Sequence, residues 1–367
     1  MLVEQIAAEI GRSGGWIGFD RYMQLALYAP ALGYYTGGAT KLGEAGDFVT
    51  APELSPLFSQ ILARQIGEIL STTGGDVLEL GAGSGRMAAA ILQTLAQSGL
   101  LPARYLILEV SAGLAARQRR LLLALPPHLA SRVGWVESAP SSFRGVIVCN
   151  EVLDALPTHL IRWNQDGIRE RGVAWLGDAF IWDDRPVAEQ ALLARALRLN
   201  PPPPYQSEIN HFAPALVGTF ARALERGAML FVDYGFGQRE YYHPQRSQGT
   251  LMCHFRHRVH DDPFFLPGLQ DITSHVDFTA IARAATDVGL ELLGYTSQAN
   301  FLINLGITDL MAQTPASDAA AYLPLAAQAH TLLSPAEMGE LFKVVALGRG
   351  IKRSLSGFGA GDMSRLL

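Results

Sequence analysis

At 367 residues, with 49% hydrophobic and 17% charged residues, the chain can bury a large core and is neither disordered nor fibrous. A net charge of -5 argues against a general affinity for nucleic-acid phosphates, and two cysteines, Cys149 and Cys253, exclude a disulfide framework and a cysteine-rich metal centre. No apolar run approaches the ~20 residues that span a bilayer, and residues 1–11 lack the charged head and apolar core of a secretory signal, so the expected compartment is a reducing cytoplasm.

In chain order, Met1 to Gly11 predicts a short amphipathic helix, and residues 1–73 as a whole read as an N-terminal extension of helices and loops, a lid packed on the core. Residues 74–367 follow as an elaborated core. It opens with the apolar strand Val77–Leu80, which runs into Gly81, Gly83 and Gly85 and then into an Ala-rich helix over Arg86–Gln97. Glycines without Cβ let backbone curl closely under a ligand, and strand, glycine turn and helix in that order make a nucleotide-cofactor pocket. The dinucleotide fingerprint G-x-G-x-x-G/A is missed, because the third glycine comes one position early and Met87 follows Arg86. Glu79, at the strand end, would face the ligand; an acid suits a cation better than a pyrophosphate. S-adenosylmethionine, which carries an ammonium and a sulfonium, is therefore the expected cofactor, with a nicotinamide dinucleotide as the rival.

The next strand, Tyr105–Val110, delivers Glu109 about two dozen residues beyond the turn, where an acid bonds ribose hydroxyls. Further strands are predicted over Val133–Val136, Val146–Cys149, Ala228–Val232, Glu291–Thr296 and Lys343–Leu347, seven in all. With helical connections they imply a doubly wound α/β sheet. Asn150, Glu151 and Asp154 fall just past the Val146–Cys149 strand, at the carboxyl end where open sheets place ligands. A helical turn there would bring Glu151 and Asp154 to one side; helix capping is the competing reading.

Two insertions interrupt the core, at about 158–210 and 235–278. His159–Trp182 alternates apolar and polar residues around Asp166-Gly167 and Gly177-Asp178, predicting hairpins, and Pro201–Pro204 reads as a stiff spacer before a helix near Phe212–Leu224, with a plain surface loop as the favoured alternative. The second insertion is rich in His, Arg, Tyr and Phe. His254 and His257 stand three apart, but no helix or Cys/Asp set accompanies them, and no metal is expected. The basic run Arg117, Arg119 and Arg120 reads as a solvated helix face.

Five segments together, residues 46–55, the Glu79–Gly85 turn, Asn150–Pro157, Phe231–Gly235 and Asp271–Phe278, resemble the MidA-like methyltransferases, the bacterial relatives of a mitochondrial arginine methyltransferase that assists respiratory complex I assembly. The resemblance runs from Phe19 to about Gly348. It implies a class I methyltransferase fold, Rossmann-like with a seven-stranded sheet, S-adenosylmethionine as cofactor and, in the mitochondrial member, symmetric dimethylation of an arginine in a respiratory-complex subunit, a substrate that the resemblance does not imply for a bacterial relative; a protein substrate is the expected partner here. Ala82 departs mildly from the Gly-Pro-Gly-x-Gly turn frequent in the family.

The site expected from these readings comprises Glu79, Gly81, Gly83, Gly85, Glu109, Asn150, Gly46 and Phe48 around the cofactor, with Glu151, Asp154, Asp47 and His275 as the catalytic candidates and Glu53 behind them. Protein arginine N-methylation is the expected activity. A non-catalytic S-adenosylmethionine-binding assembly factor and a small-molecule methyltransferase stay open beside it.

Overall fold

The computed structural model describes residues 1–37 and 50–367. Gly46, Asp47 and Phe48, three of the expected site residues, lie outside the described residues. The described chain divides into two compact units, one made of 50–152, 216–235 and 278–367, the other of 1–37, 153–215 and 236–277.

The first unit is built on seven core strands: β1 (Asp76–Leu80), β2 (Tyr105–Leu108), β3 (Val133–Val136), β4 (Phe143–Asn150), β5 (Leu224–Phe236), β6 (Glu291–Ser297) and β7 (Phe342–Arg349). They lie in the order β6-β7-β5-β4-β1-β2-β3, all parallel except β7, which runs antiparallel to both neighbours. This is the doubly wound α/β sheet of a class I methyltransferase, with its reversed strand. Central strands covered on both faces read as continuous apolar runs, and Val77, Leu78, Val146, Ile147 and Val148 are fully buried. The helix Pro56–Thr73 packs its own apolar face into the same core through Ile61, Leu62, Ile66 and Ile69.

Strand limits depart from expectation where glycine misleads. β4 begins at Phe143 and passes through Gly145, and β5 passes through Gly227, two residues that signal a turn in sequence. Here they permit close approach between strands: a Cβ on Gly145 would stand 2.0 Å from the Asp76 carbonyl oxygen, and one on Gly227 1.8 Å from that of Gly145. β2 ends at Leu108, short of the predicted Val110, because Glu109 folds back to accept the Ser111 amide at 2.9 Å while Ser111 caps the helix Ala112–Leu122.

The second unit holds an antiparallel meander, His159–Asn164, Gly167–Leu176 and Ala179–Pro186, with its turns at the two predicted Asp/Gly sites. A fourth strand, Tyr205–Ile209, pairs with His159–Asn164 where the sequence predicts a proline spacer or surface loop before the next helix. Its polar Ser207 and Glu208 are buried, which hides the apolar alternation. The aromatic insertion carries a three-stranded sheet of Met252–Phe255, Arg258–His260 and Asp271–Thr273. His257 sits in the hairpin turn at φ 60.

Candidate functional site

The glycine turn is formed as its sequence requires. Gly81, Gly83 and Gly85 take φ values of 65, 52 and 88, a region that L side chains enter only with strain, and a Cβ on Gly81 would lie 2.7 Å from Val152 Cγ2. The helix Arg86–Gln97 starts directly from Gly85. Glu53 braces the turn: its carboxylate accepts the Ser84 hydroxyl and stands 3.4 Å from Arg86. That contact answers its charge, so Glu53 anchors the loop.

Glu79 is 1% exposed. Tyr105 donates its hydroxyl to one carboxylate oxygen at 2.6 Å, and the other oxygen is buried with no hydrogen-bond partner among the described residues. Burial pushes the Glu79 carboxyl up to about 7, the Tyr105 hydrogen bond works against that rise, and the nearby Glu109 charge adds to it. A buried acid with an orphan oxygen is a costly feature that a cationic or amide-bearing ligand would relieve. Asn150 tells the same story, because its side-chain oxygen is also buried with no hydrogen-bond partner among the described residues.

Glu109 stands just beyond β2. Its two oxygens accept from Ser111 N and from Gln118 Nε2, both at 2.9 Å. Gln118 was not foreseen. It is fully buried on the helix Ala112–Leu122, and its Nε2 also donates to the Gly83 carbonyl at 3.0 Å while Trp135 Nε1 donates to its Oε1 at 3.0 Å. One amide thus ties the glycine turn to the ribose-binding candidate. In sequence it sits inside the Arg117–Arg120 run, whose charges conceal it; Arg119 lies over the Trp135 ring at 4.4 Å.

Glu151 departs from the expected helical turn. Its φ is +51, its amide donates to Val232 O at 3.0 Å, and no helix forms over residues 151–157. A left-handed residue at the start and Pro157 at the end both oppose helix, so the expected juxtaposition of Glu151 and Asp154 on one helical side fails, as does the capping reading. The carboxylate itself is oriented: Oε1 accepts from Asn150 Nδ2 at 2.9 Å and from the Ala51 amide at 3.3 Å. A non-glycine residue in this region costs about 1–3 kcal/mol, and such strain gathers at functional sites.

Glu79, Gly81, Gly83, Gly85, Glu109, Asn150 and Glu151 therefore share the sheet unit, around the carboxyl ends of β1, β2 and β4. Asp154 and His275 belong to the other unit. Asp154 is 6% exposed, and its carbonyl accepts the Ser274 amide at 3.0 Å. The His275 amide donates to Thr250 Oγ1 at 3.0 Å, and its ring packs edge-on against Phe236. Thr250 in turn is gripped by Glu208, whose buried carboxylate collects the amides of Thr250 and Leu251 and the hydroxyls of Thr250 and Tyr241.

The residues present fit S-adenosylmethionine. Orphan acceptors at Glu79 and Asn150, an acid at Glu109 and three glycines in left-handed conformation make an anionic cradle suited to a cation and a ribose. A pyrophosphate would meet the same acids as repulsion.

Comparison with known proteins agrees. A sequence profile of the family described as "Putative S-adenosyl-L-methionine-dependent methyltransferase" matches residues 61–296. Among relatives, the protein arginine methyltransferase NDUFAF7, mitochondrial, of Danio rerio is 29% identical over 93% of this chain and 85% of its own, and that of Homo sapiens 27% over 92% and 81%. Among solved structures, a Burkholderia thailandensis protein bound to S-adenosyl-homocysteine is 50% identical, with a TM-score of 0.96 over 100% of this chain and 96% of that one. The chain belongs to this S-adenosylmethionine-dependent methyltransferase family.

Proposed function

We propose that the chain is a protein arginine N-methyltransferase. The observation that carries this reading is the extent of its likeness to relatives named protein arginine methyltransferase, which covers 92–93% of the chain in the Danio rerio and Homo sapiens proteins. Chemistry supports it. S-adenosylmethionine supplies a methyl group already activated on a sulfonium, so the chain's own task is to position an acceptor and exclude water.

Glu151 suits that task. Its carboxylate is aimed by Asn150 and the Ala51 amide, and a carboxylate so fixed pairs with two guanidinium N–H groups at once. Held in this way, a guanidinium concentrates its positive charge on the nitrogens that Glu151 touches. The remaining nitrogen keeps more of its lone pair for the incoming methyl, and its proton becomes acidic only as the new bond forms. The acceptor proposed first is an arginine of a respiratory-complex subunit.

The test is methyl transfer by the full chain to an extract of cells lacking it, read by mass spectrometry for arginine marks. Glu151→Gln should keep cofactor affinity and lower transfer about a hundredfold, roughly 2.7 kcal/mol. Marks appearing only on lysine or on small molecules would overturn the arginine reading.

A further inference from the structure

The second unit gathers five titratable side chains that the methyltransferase chemistry does not use. His159, on the first strand of the meander, has Nδ1 2.9 Å from Glu170 Oε1 and 3.5 Å from Asp20 Oδ1. On its other flank stand Glu189 and His211: the His159 and His211 rings are 5.3 Å apart, and His211 Nδ1 is 3.7 Å from Glu189 Oε1. Ligand-type atoms of His159, Glu189 and His211 all lie within 4.8 Å of one another.

Three features of this cluster want an explanation. It holds three carboxylates, and among the described residues none of them is ion-paired to a Lys or Arg; imidazoles are their only partners of that kind. Glu189 occupies the N-cap position of the helix Gln190–Leu199 yet makes no capping hydrogen bond, its carboxylate lying beside His211 instead. The His159 nitrogen that faces Glu170 and Asp20 is committed to acceptors, which leaves the lone pair on its other ring nitrogen.

We propose that His159, His211 and Glu189 form a binding site for one divalent transition ion of the Zn²⁺ type, with Glu170 and Asp20 behind His159. Two imidazoles and a carboxylate are a standard ligand set for such an ion, and ligands at ~2.0–2.2 Å in tetrahedral array stand somewhat closer together than these atoms do, so closing on an ion needs only side-chain adjustment. The carboxylate behind His159 fixes its tautomer and raises its basicity, as it does for most metal-bound imidazoles. Partial exposure of Glu189 and His211, at 51% and 33% of their side chains, gives the ion a way in. Bound there, it would join three segments that are distant in sequence. The expectation of no metal came from spacing along the chain, and no spacing rule joins residues 159, 189 and 211.

The test is titration of the full chain with Zn²⁺ alone after dialysis against a chelator, with Co²⁺ absorption as a second readout of ligand type. One equivalent should bind. His211→Ala and Glu189→Gln, at partly open positions and with folding checked by circular dichroism, should each weaken binding tenfold or more, and Glu170→Gln by 10–100-fold through His159. Affinity for S-adenosyl-homocysteine should not change in any of them. The proposal is overturned if the wild-type chain takes up no stoichiometric Zn²⁺, or if uptake is the same in His211→Ala and Glu189→Gln.

Discussion

Asp184 and Asp277 of the meander unit are answered differently from Glu79 of the sheet unit. In the meander unit, Asp184 accepts from Arg162 and Arg171 at 2.6 and 2.8 Å, and Asp277 from Arg195 at 3.0 Å, so the chain supplies its own cations. In the sheet unit, Glu79 is held by one tyrosine hydroxyl and keeps an oxygen with no hydrogen-bond partner among the described residues, and Glu109 accepts from the Gln118 amide and the Ser111 N–H. An acid with its own arginine adds stability; an acid kept for a ligand costs stability until the ligand arrives. The same kind of substitution should therefore have opposite signs in the two places.

The largest effect is expected at the turn itself. Gly83→Val puts a β-branched side chain at φ 52 and into the space the ligand needs, and it should remove S-adenosyl-homocysteine binding altogether in calorimetry. Measurable binding by a folded Gly83→Val variant would mean that the cradle lies elsewhere.

Glu79→Gln sharpens the comparison through pH. A carboxyl near 4.5 in the unfolded chain and about 7 in the folded one makes charged burial costly: the penalty is absent below pH 4.5, grows between the two values, and is complete above 7. Its full size is about 3 kcal/mol, so Glu79→Gln should stabilise the ligand-free protein by up to that amount at pH 8 and by almost nothing at pH 4. Denaturant melts of both proteins at the two pH values check this, and the same variant should bind S-adenosylmethionine more weakly.

Asp184→Asn should do the reverse, on a smaller scale. Burial works against the Asp184 charge, but hydrogen bonds from Arg171 and Arg162 outweigh it and hold the carboxyl below its usual range. Its contribution is present above the unfolded value of 3.8 and fades as pH falls through the lower folded value. A loss of about 1 kcal/mol at pH 7, with unchanged affinity for S-adenosyl-homocysteine, is expected from melts and calorimetry. A stabilised Asp184→Asn variant, or one with weakened binding, would erase the distinction between the units.

What the sequence discloses follows from the same contrast. The strand, glycine turn and helix from Val77 to Gln97 are contiguous, so local pattern alone places them, and the helix runs over Arg86–Gln97 as predicted. Gly145 and Gly227 mislead because a glycine in a turn and a glycine beneath a neighbouring strand look alike until the neighbour is known. The strand Tyr205–Ile209 is hidden by buried Ser207 and Glu208, whose partners come from Tyr241, Thr250 and Leu251. Glu151 and Asp154 were paired by an assumed helical period, and one left-handed φ at Glu151 removes it. Contacts made across long stretches of chain leave no periodic trace.

Gln118 gives the glycine turn a mechanical property. Because a single side-chain nitrogen is shared between the Gly83 carbonyl and the Glu109 carboxylate, neither can shift without altering the hold on the other. Turn and acid are then two ends of one lever with its pivot in the helix beneath them, braced from the far side by Trp135. Damage at the two ends is shared through that pivot, so the losses from altering Gly83 and Glu109 together should fall short of their sum.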